Sequence, residues 1–227
     1  MRWFPACIAM VLLSCGHRTE QYILPDQITE FPALFESNCT GCHGRDGHYG
    51  AARPLNDPLF LALIGKEKLR DVIAKGVKGT AMPAFAQSAG GTLTDQQVSI
   101  LADQMEARWS RPRDFARDFS GVALPAYSGD LGDPTRGESV FQRDCSKCHG
   151  EHGKAGSIID PAFLALVSNQ SIRTTVLTGR ADRGMPNWRS HTPGPALTAQ
   201  EIADVVAWLS SHREHPGNLA IGGTNLP

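Results

Sequence analysis

The chain has 227 residues, enough for one large or two small domains, with few aromatic residues and 23 Gly and 15 Pro. A formal net charge of −1 supplies no strong field, which excludes electrostatic steering of nucleic acid or of a highly acidic partner. Six cysteines suggest a disulfide framework until they are sorted: Cys39, Cys42, Cys145 and Cys148 fall in two Cys-x-x-Cys-His stretches, Cys7 and Cys15 lie at the N-terminus, and none is left to pair within the folded part.

The first residues carry Arg2 and an apolar run from Trp3 to Leu13, too short to span a bilayer and fitting the apolar part of a signal peptide over 1–14. The run ends in Leu12-Leu13-Ser14-Cys15, which resembles a bacterial lipoprotein lipobox; that resemblance implies cleavage before Cys15 and acylation of it. An ordinary secretory signal with an incidental cysteine is the alternative. Several acyl chains would hold the protein durably at a membrane surface. Residues 15–27 are polar and read as a tether.

The segment 28–107 reads as the first domain. Pro32 opens a helix whose Phe31, Leu34 and Phe35 share an apolar face ahead of CTGCH at Cys39 to His43. A Gly-rich loop follows, then helices over PLFLALIG and KEKLRDVIAKG, the latter with Leu69, Val72 and Ile73 on one face and Gly76 as its stop. The loop VKGTAMPAF leads to a last helix, opened by Thr94 and Gln97 spaced as a capping box.

Residues 108–135 mix Pro, Gly and Asp with weak periodicity and read as a linker packed against both domains. The segment 136–213 then repeats the first programme: CSKCH at Cys145 to His149, DPAFLALVSNQSIRTTVLTG against DPLFLALIGKEKLRDVIAKG at a constant offset of 103, RGMPNW against TAMPAF, and ALTAQEIADVVAWL against TLTDQQVSILADQM. Such self-similarity is tandem duplication of one small all-α domain. A tail covers 214–227.

Cys-x-x-Cys-His is the attachment signature of a c-type haem: two thiols on one helical turn reach the same side of a porphyrin, and the next imidazole takes an axial iron site. Two copies predict two covalently bound haems, with His43 and His149 as iron ligands. A zinc site is the first alternative, although its paired knuckles are separated by about 15–20 residues and these by a whole domain. A redox dithiol is the second and needs a βαβ context.

Among five methionines, Met82 and Met185 occupy equivalent places, each followed by Pro. A rigid loop presenting a thioether suits a His/Met iron, so both are predicted as sixth ligands, with core packing as the alternative. His191, six residues after Met185, is a rival without a counterpart in the first half; His48 and His152 lie too close to the proximal His, and His17, His212 and His215 lie near tails.

Both halves resemble class I c-type cytochromes, and the whole is similar to a diheme cytochrome c. The resemblance implies a Gly- and aromatic-bearing first helix crossing a C-terminal helix with an aromatic residue. Gly137, Phe141 and Trp208 match; in the first half Phe35 matches, Phe31 replaces the Gly and Gln104 stands where Trp208 would be, implying a wider or differently packed crossing. It also implies that the carbonyl of Pro54, and in the second half that of Ser157, accepts the proximal ring N–H. Phe85 and Trp188, three past each Met, are expected over a haem edge or in the core. The function expected is single-electron transfer, not enzymatic, between respiratory redox proteins such as a quinol-oxidising complex, a terminal oxidase or a soluble cytochrome, at the periplasmic or cell-surface face of a bacterial membrane. The rivals are a diheme peroxidase or haem-dependent dehydrogenase, and a fixed subunit of an oxidase or quinol-oxidising complex.

Overall fold

The computed structural model describes residues 22–78, 80–120, 123, 132–189 and 195–213. The signal peptide, Cys15, most of the tether, much of the linker, His17, His191, His215 and the tail from 214 lie outside the described residues. Among the described residues the structure is helical, with only two isolated bridges, Ala86 with Leu93 and Arg180 with Met185, so the βαβ context of a redox dithiol is absent there.

In the first half, α1 (Phe31–Asn38) carries Pro in its first turn and buries Phe31, Leu34 and Phe35. After α2 (Thr40–His43), helix α3 (Pro58–Ile64) is capped by Asp57, whose carboxylate accepts from the Leu59 and Phe60 amides at 2.9 and 3.2 Å. Helix α4 (Lys66–Lys75) buries Leu69 and Ile73, while Val72 stays half-buried, and it stops at Gly76 with φ +70°. Helix α5 (Asp95–Trp109) opens with the reciprocal bonds of Thr94 and Gln97, at 3.2 and 3.0 Å. Gln97 does more than cap: its side-chain amide also donates to the carbonyls of Pro25 and Ile28, at 2.7 and 2.9 Å, tying the incoming chain to α5.

Helix α6 (Pro112–Phe119) stands where the sequence shows weak periodicity. Its Phe115 and Phe119, one turn apart, are too short a pattern to register in sequence, yet they stack at 5.1 Å and lie against the second core, where Phe119 stacks on Trp188 at 5.7 Å. In the second half α7 (Pro134–Asp144), α8 (Ser146–His149), α9 (Pro161–Leu166), α10 (Asn169–Thr178) and α11 (Ala199–Ser211) repeat the order of the first. Leu59 and Leu63 of α3 join the second core, so apolar packing is continuous between the halves.

The two terminal-helix crossings differ for a steric reason. At Gly137 a Cβ would lie 2.0 Å from the Asp204 carbonyl oxygen, so only glycine lets α7 and α11 approach; the Phe141 ring then meets Trp208 at 4.4 Å. In the first half Trp109, five residues beyond Gln104, takes that part, edge-on to Phe31 and Phe35 at 5.7 and 5.2 Å. The differently packed crossing expected from Phe31 is found, with an aromatic partner the alignment does not place there.

Candidate haem sites

Each cysteine pair sits on a one-turn helix that pivots from the end of a longer one. Cys39 closes α1 through its amide to the Phe35 carbonyl (2.8 Å) and accepts from the amides of Cys42 and His43; Cys145 does the same for Phe141, Cys148 and His149. The two cysteines of a motif thus stand three residues apart on one turn, the spacing that attachment requires. All four cysteines are unpaired. Burial pushes the Cys39 and Cys145 thiols up to about 12, with Cys42 and Asp144 respectively adding to it. A structural zinc site needs four such ligands, two more than one Cys-x-x-Cys pair supplies. Consistently, the described residues contain no cluster of three or more Cys, His, Asp or Glu able to hold an ion.

The imidazoles are oriented from behind. The His43 Nδ1 lies 2.6 Å from the Arg53 carbonyl oxygen, which can only accept, so Nδ1 carries the proton and Nε2 keeps its lone pair free for iron. Burial lowers the pKa of this ring, which the Arg53 carbonyl partly offsets. The acceptor is therefore Arg53 and not Pro54. Because a residue before proline is confined to extended conformations, Pro54 acts by fixing the backbone that bears the carbonyl. In the second half His149 Nδ1 lies 3.4 Å from the Gly156 carbonyl, again one residue before the expected Ser157, and no proline follows.

Glycines hold each proximal loop against its motif. A Cβ on Gly50 would lie 2.2 Å from the Cys42 carbonyl oxygen and one on Gly153 would lie 2.3 Å from that of Cys148. The same device holds the methionine loops. Gly76 and Gly179, both at φ +70°, end α4 and α10 and press on the backbones of Met82-Pro83 and Met185-Pro186, where a Cβ would meet atoms at 2.6 and 2.5 Å. The Val77 amide donates to the Met82 carbonyl (3.1 Å), and Arg180 and Met185 exchange two backbone bonds at 3.0 Å. Both methionine side chains are half-buried. Phe85 is half-buried and packs on the first core, while Trp188 is buried. His48 is half-buried, and His152 is exposed.

These features fit a covalently held haem in each half: paired thiols on one turn, a ring N–H anchored away from the iron side, and loops that only glycine permits. The glycine pairs and Arg53 escape a reading confined to ligand types. The constant offset of 103, applied to Gly50 with Gly153 and Gly76 with Gly179, is the signal that could have found the former.

The family model described as cytochrome c oxidase, cbb3-type, subunit III matches twice, over residues 26–105 and 132–209. A protein of Mycobacterium tuberculosis called cytochrome bc1 complex cytochrome c subunit is 24% identical over 201 residues, 84% of this chain and 66% of that one. The cbb3-type cytochrome c oxidase subunit FixP of Azorhizobium caulinodans is 26% identical over 194 residues, 79% of this chain and 58% of that one. The chain thus spans somewhat under two thirds of the length of these relatives. A chain of the Kuenenia stuttgartiensis reducing HAO-like protein complex superposes with a TM-score of 0.45 at 17% identity, covering 85% of this chain and all of that one. With a family match over both halves and a Cys-x-x-Cys-His turn in each, the chain belongs to the cbb3-type subunit III family of c-type cytochromes and is a diheme cytochrome c with covalently bound haem.

Proposed function

We propose that this protein passes single electrons between respiratory redox proteins. In this reading Cys39 and Cys42, and Cys145 and Cys148, hold the two haems, and the axial pairs are His43 with Met82 and His149 with Met185. Bound haem supplies one-electron chemistry, and the protein sets its potential and exposure. The observation that carries the reading is the doubled methionine clasp: in both halves a glycine at φ +70° presses on a Met-Pro backbone while a backbone carbonyl restrains the proximal ring. Such a loop fixes a soft ligand that neither helix nor core packing calls for. With both axial positions filled by protein, neither iron is open to peroxide, which sets this reading against the peroxidase.

The test is a redox titration of the holoprotein. It should resolve two low-spin one-electron steps, and Met82→His and Met185→His should each lower one of them, because a thioether raises the potential relative to a second imidazole. If neither substitution moves a step, the ligation is wrong. Peroxide turnover with a reduced donor would favour the enzymatic rival instead.

We further propose a lipid anchor at Cys15 and a place at the outer face of a bacterial membrane. Among the described residues no helix is long and apolar enough to cross a membrane; what supports the anchor is the Leu12-Leu13-Ser14-Cys15 stretch. Globomycin-sensitive processing and labelling by a radioactive fatty acid, lost in Cys15→Ser, would test it. The names of the relatives favour a second reading, in which the protein is a subunit held by a quinol-oxidising or oxidase complex. Co-purification in mild detergent at native expression separates it from a free carrier.

A further inference from the structure

The carbonyl of Arg53 restrains the His43 ring, and the side chain of the same residue leaves the first half altogether. Its guanidinium donates from Nη1 to the Thr178 hydroxyl (3.0 Å) and from Nη2 to the Thr175 hydroxyl (2.9 Å) and the Ser171 carbonyl (3.1 Å), all on α10. Phe60 lies beneath it at 5.3 Å. The planar fork is thus matched to three oxygens of one helix, a geometry lysine cannot reproduce.

A second set of bonds runs the other way. Arg180, whose backbone pairs with Met185, donates from Nη2 to the Gly50 carbonyl (3.2 Å), and Arg183 donates to the carbonyls of Gly50 (2.8 Å) and Tyr49 (3.3 Å). Asp182, paired with Arg180, accepts from the Tyr49 amide at 2.9 Å. Tyr49 itself sits at φ +65°, a left-handed conformation rare for a bulky residue, and it is held there by these contacts. The proximal loop of the first site and the methionine loop of the second therefore share one polar interface.

The repeat supplies its own control. The position equivalent to Arg53 is Gly156, which has no side chain, and there the bond from the proximal ring is 3.4 Å instead of 2.6 Å. The bond is short where a side chain anchors the carbonyl and a proline follows it, and long where both are missing, so the variants below, which keep Pro54, separate the two.

We propose that Arg53 is a positioning residue through which α10 of the second half sets the reduction potential of the first haem, with Arg180 tying the Met185 loop to the same interface. A strong bond to the ring N–H makes the imidazole a better donor and favours the oxidised iron. Loosening it therefore raises the potential. The proposal rests on His43 as the axial ligand of the first haem, as read above, and the part played by the Met185 loop rests on Met185 as a ligand of the second.

Two substitutions of the holoprotein test this. Arg53→Lys keeps the charge and loses the fork, and the double variant Thr175→Val, Thr178→Val removes two acceptors without touching the first half. Each is titrated, the first-haem step being the one that Met82→His moves, and exchange of the His43 Nδ1–H with solvent is followed by NMR in the reduced protein. In both variants the first-haem step should rise by at least a threefold change in oxidised-to-reduced ratio at fixed potential, tenfold being about 59 mV, and the ring N–H should exchange at least threefold faster. If Arg53→Lys acts and the α10 variant does not, the guanidinium acts locally and the proposal fails; if neither acts, Arg53 only joins the halves. Should Met82→His move no step, the ligation reading fails by itself, and the exchange rate, which does not depend on the sixth ligand, decides the proposal.

Discussion

Gly137→Ala tests the reasoning about the second crossing. Its Cβ would lie 2.0 Å from the Asp204 carbonyl oxygen, 2.6 Å from that carbonyl carbon and 2.7 Å from Trp208 Cβ, and the obstacle is backbone, which cannot swing aside. To reach ordinary contact at 3.4 Å, α7 and α11 must part by about 1.4 Å. Overpacking of this kind costs about 1–3 kcal/mol, and separating the Phe141 and Trp208 rings adds about 0.5–1.5 kcal/mol, so a total of about 1.5–4.5 kcal/mol is expected. That is a large share of the roughly 5–15 kcal/mol that holds a domain folded. Guanidinium unfolding of the holoprotein, followed by far-UV circular dichroism and by the haem Soret band, measures it. The control is Gly41→Ala, inside α2 with nothing within 4 Å of a new Cβ, which should be neutral or stabilising by up to about 1 kcal/mol. If Gly137→Ala falls within about 0.5 kcal/mol of the parent, below the range expected for overpacking, the close crossing is not what this glycine provides.

Other expectations follow from the same contacts. Gly76→Val and Gly179→Val should each displace one methionine loop and abolish the red Fe–S band of the matching haem, leaving the other; unchanged spectra in both would count against the clasp. Trp109→Ala removes a half-buried ring that meets Phe31 and Phe35, and should destabilise the first half by about 2–3 kcal/mol, read from denaturant midpoints. Burial alone would raise the Asp204 carboxyl, but bonds from Arg136, the Asp133 amide and Gln200 outweigh it and hold the pKa below the ordinary value. A depressed folded pKa contributes stability that is present above the unfolded value of about 3.9 and is lost as pH falls through the folded one. Unfolding midpoints taken from pH 7 down to pH 2 should therefore drop at the acid end, and Asp204→Asn should be less stable at pH 7 with a flatter acid limb.

What could be read in the sequence was whatever depends on near neighbours. The Thr94 and Gln97 box, the stop at Gly76 and the one-turn placement of Cys39 and Cys42 all involve residues three or four apart, whose geometry a helix fixes by itself. Duplication extended that reach, since Met82 and Met185 mark each other as special by recurring at the same offset. Two readings missed, one by a single residue and one by five. The ring of His43 bonds to Arg53 and not Pro54, and Trp109 fills the place assigned to Gln104, because both depend on where a loop or helix returns in space and not on its pattern.

The sequence by itself determined that two Cys-x-x-Cys-His turns are present and which helices flank them, because the motif and the caps are local chemistry. Tertiary structure alone decided that α6 lies on the second core, that α3 lends Leu59 and Leu63 to it, and that Arg53 spans from one proximal histidine to the far half's α10. Phe119 and Trp188 are 69 positions apart, and the Arg53 bonds to α10 join residues more than 100 apart. No periodicity encodes them: they arise only when two finished domains bury their remaining apolar faces together and the polar groups at the rim must find partners.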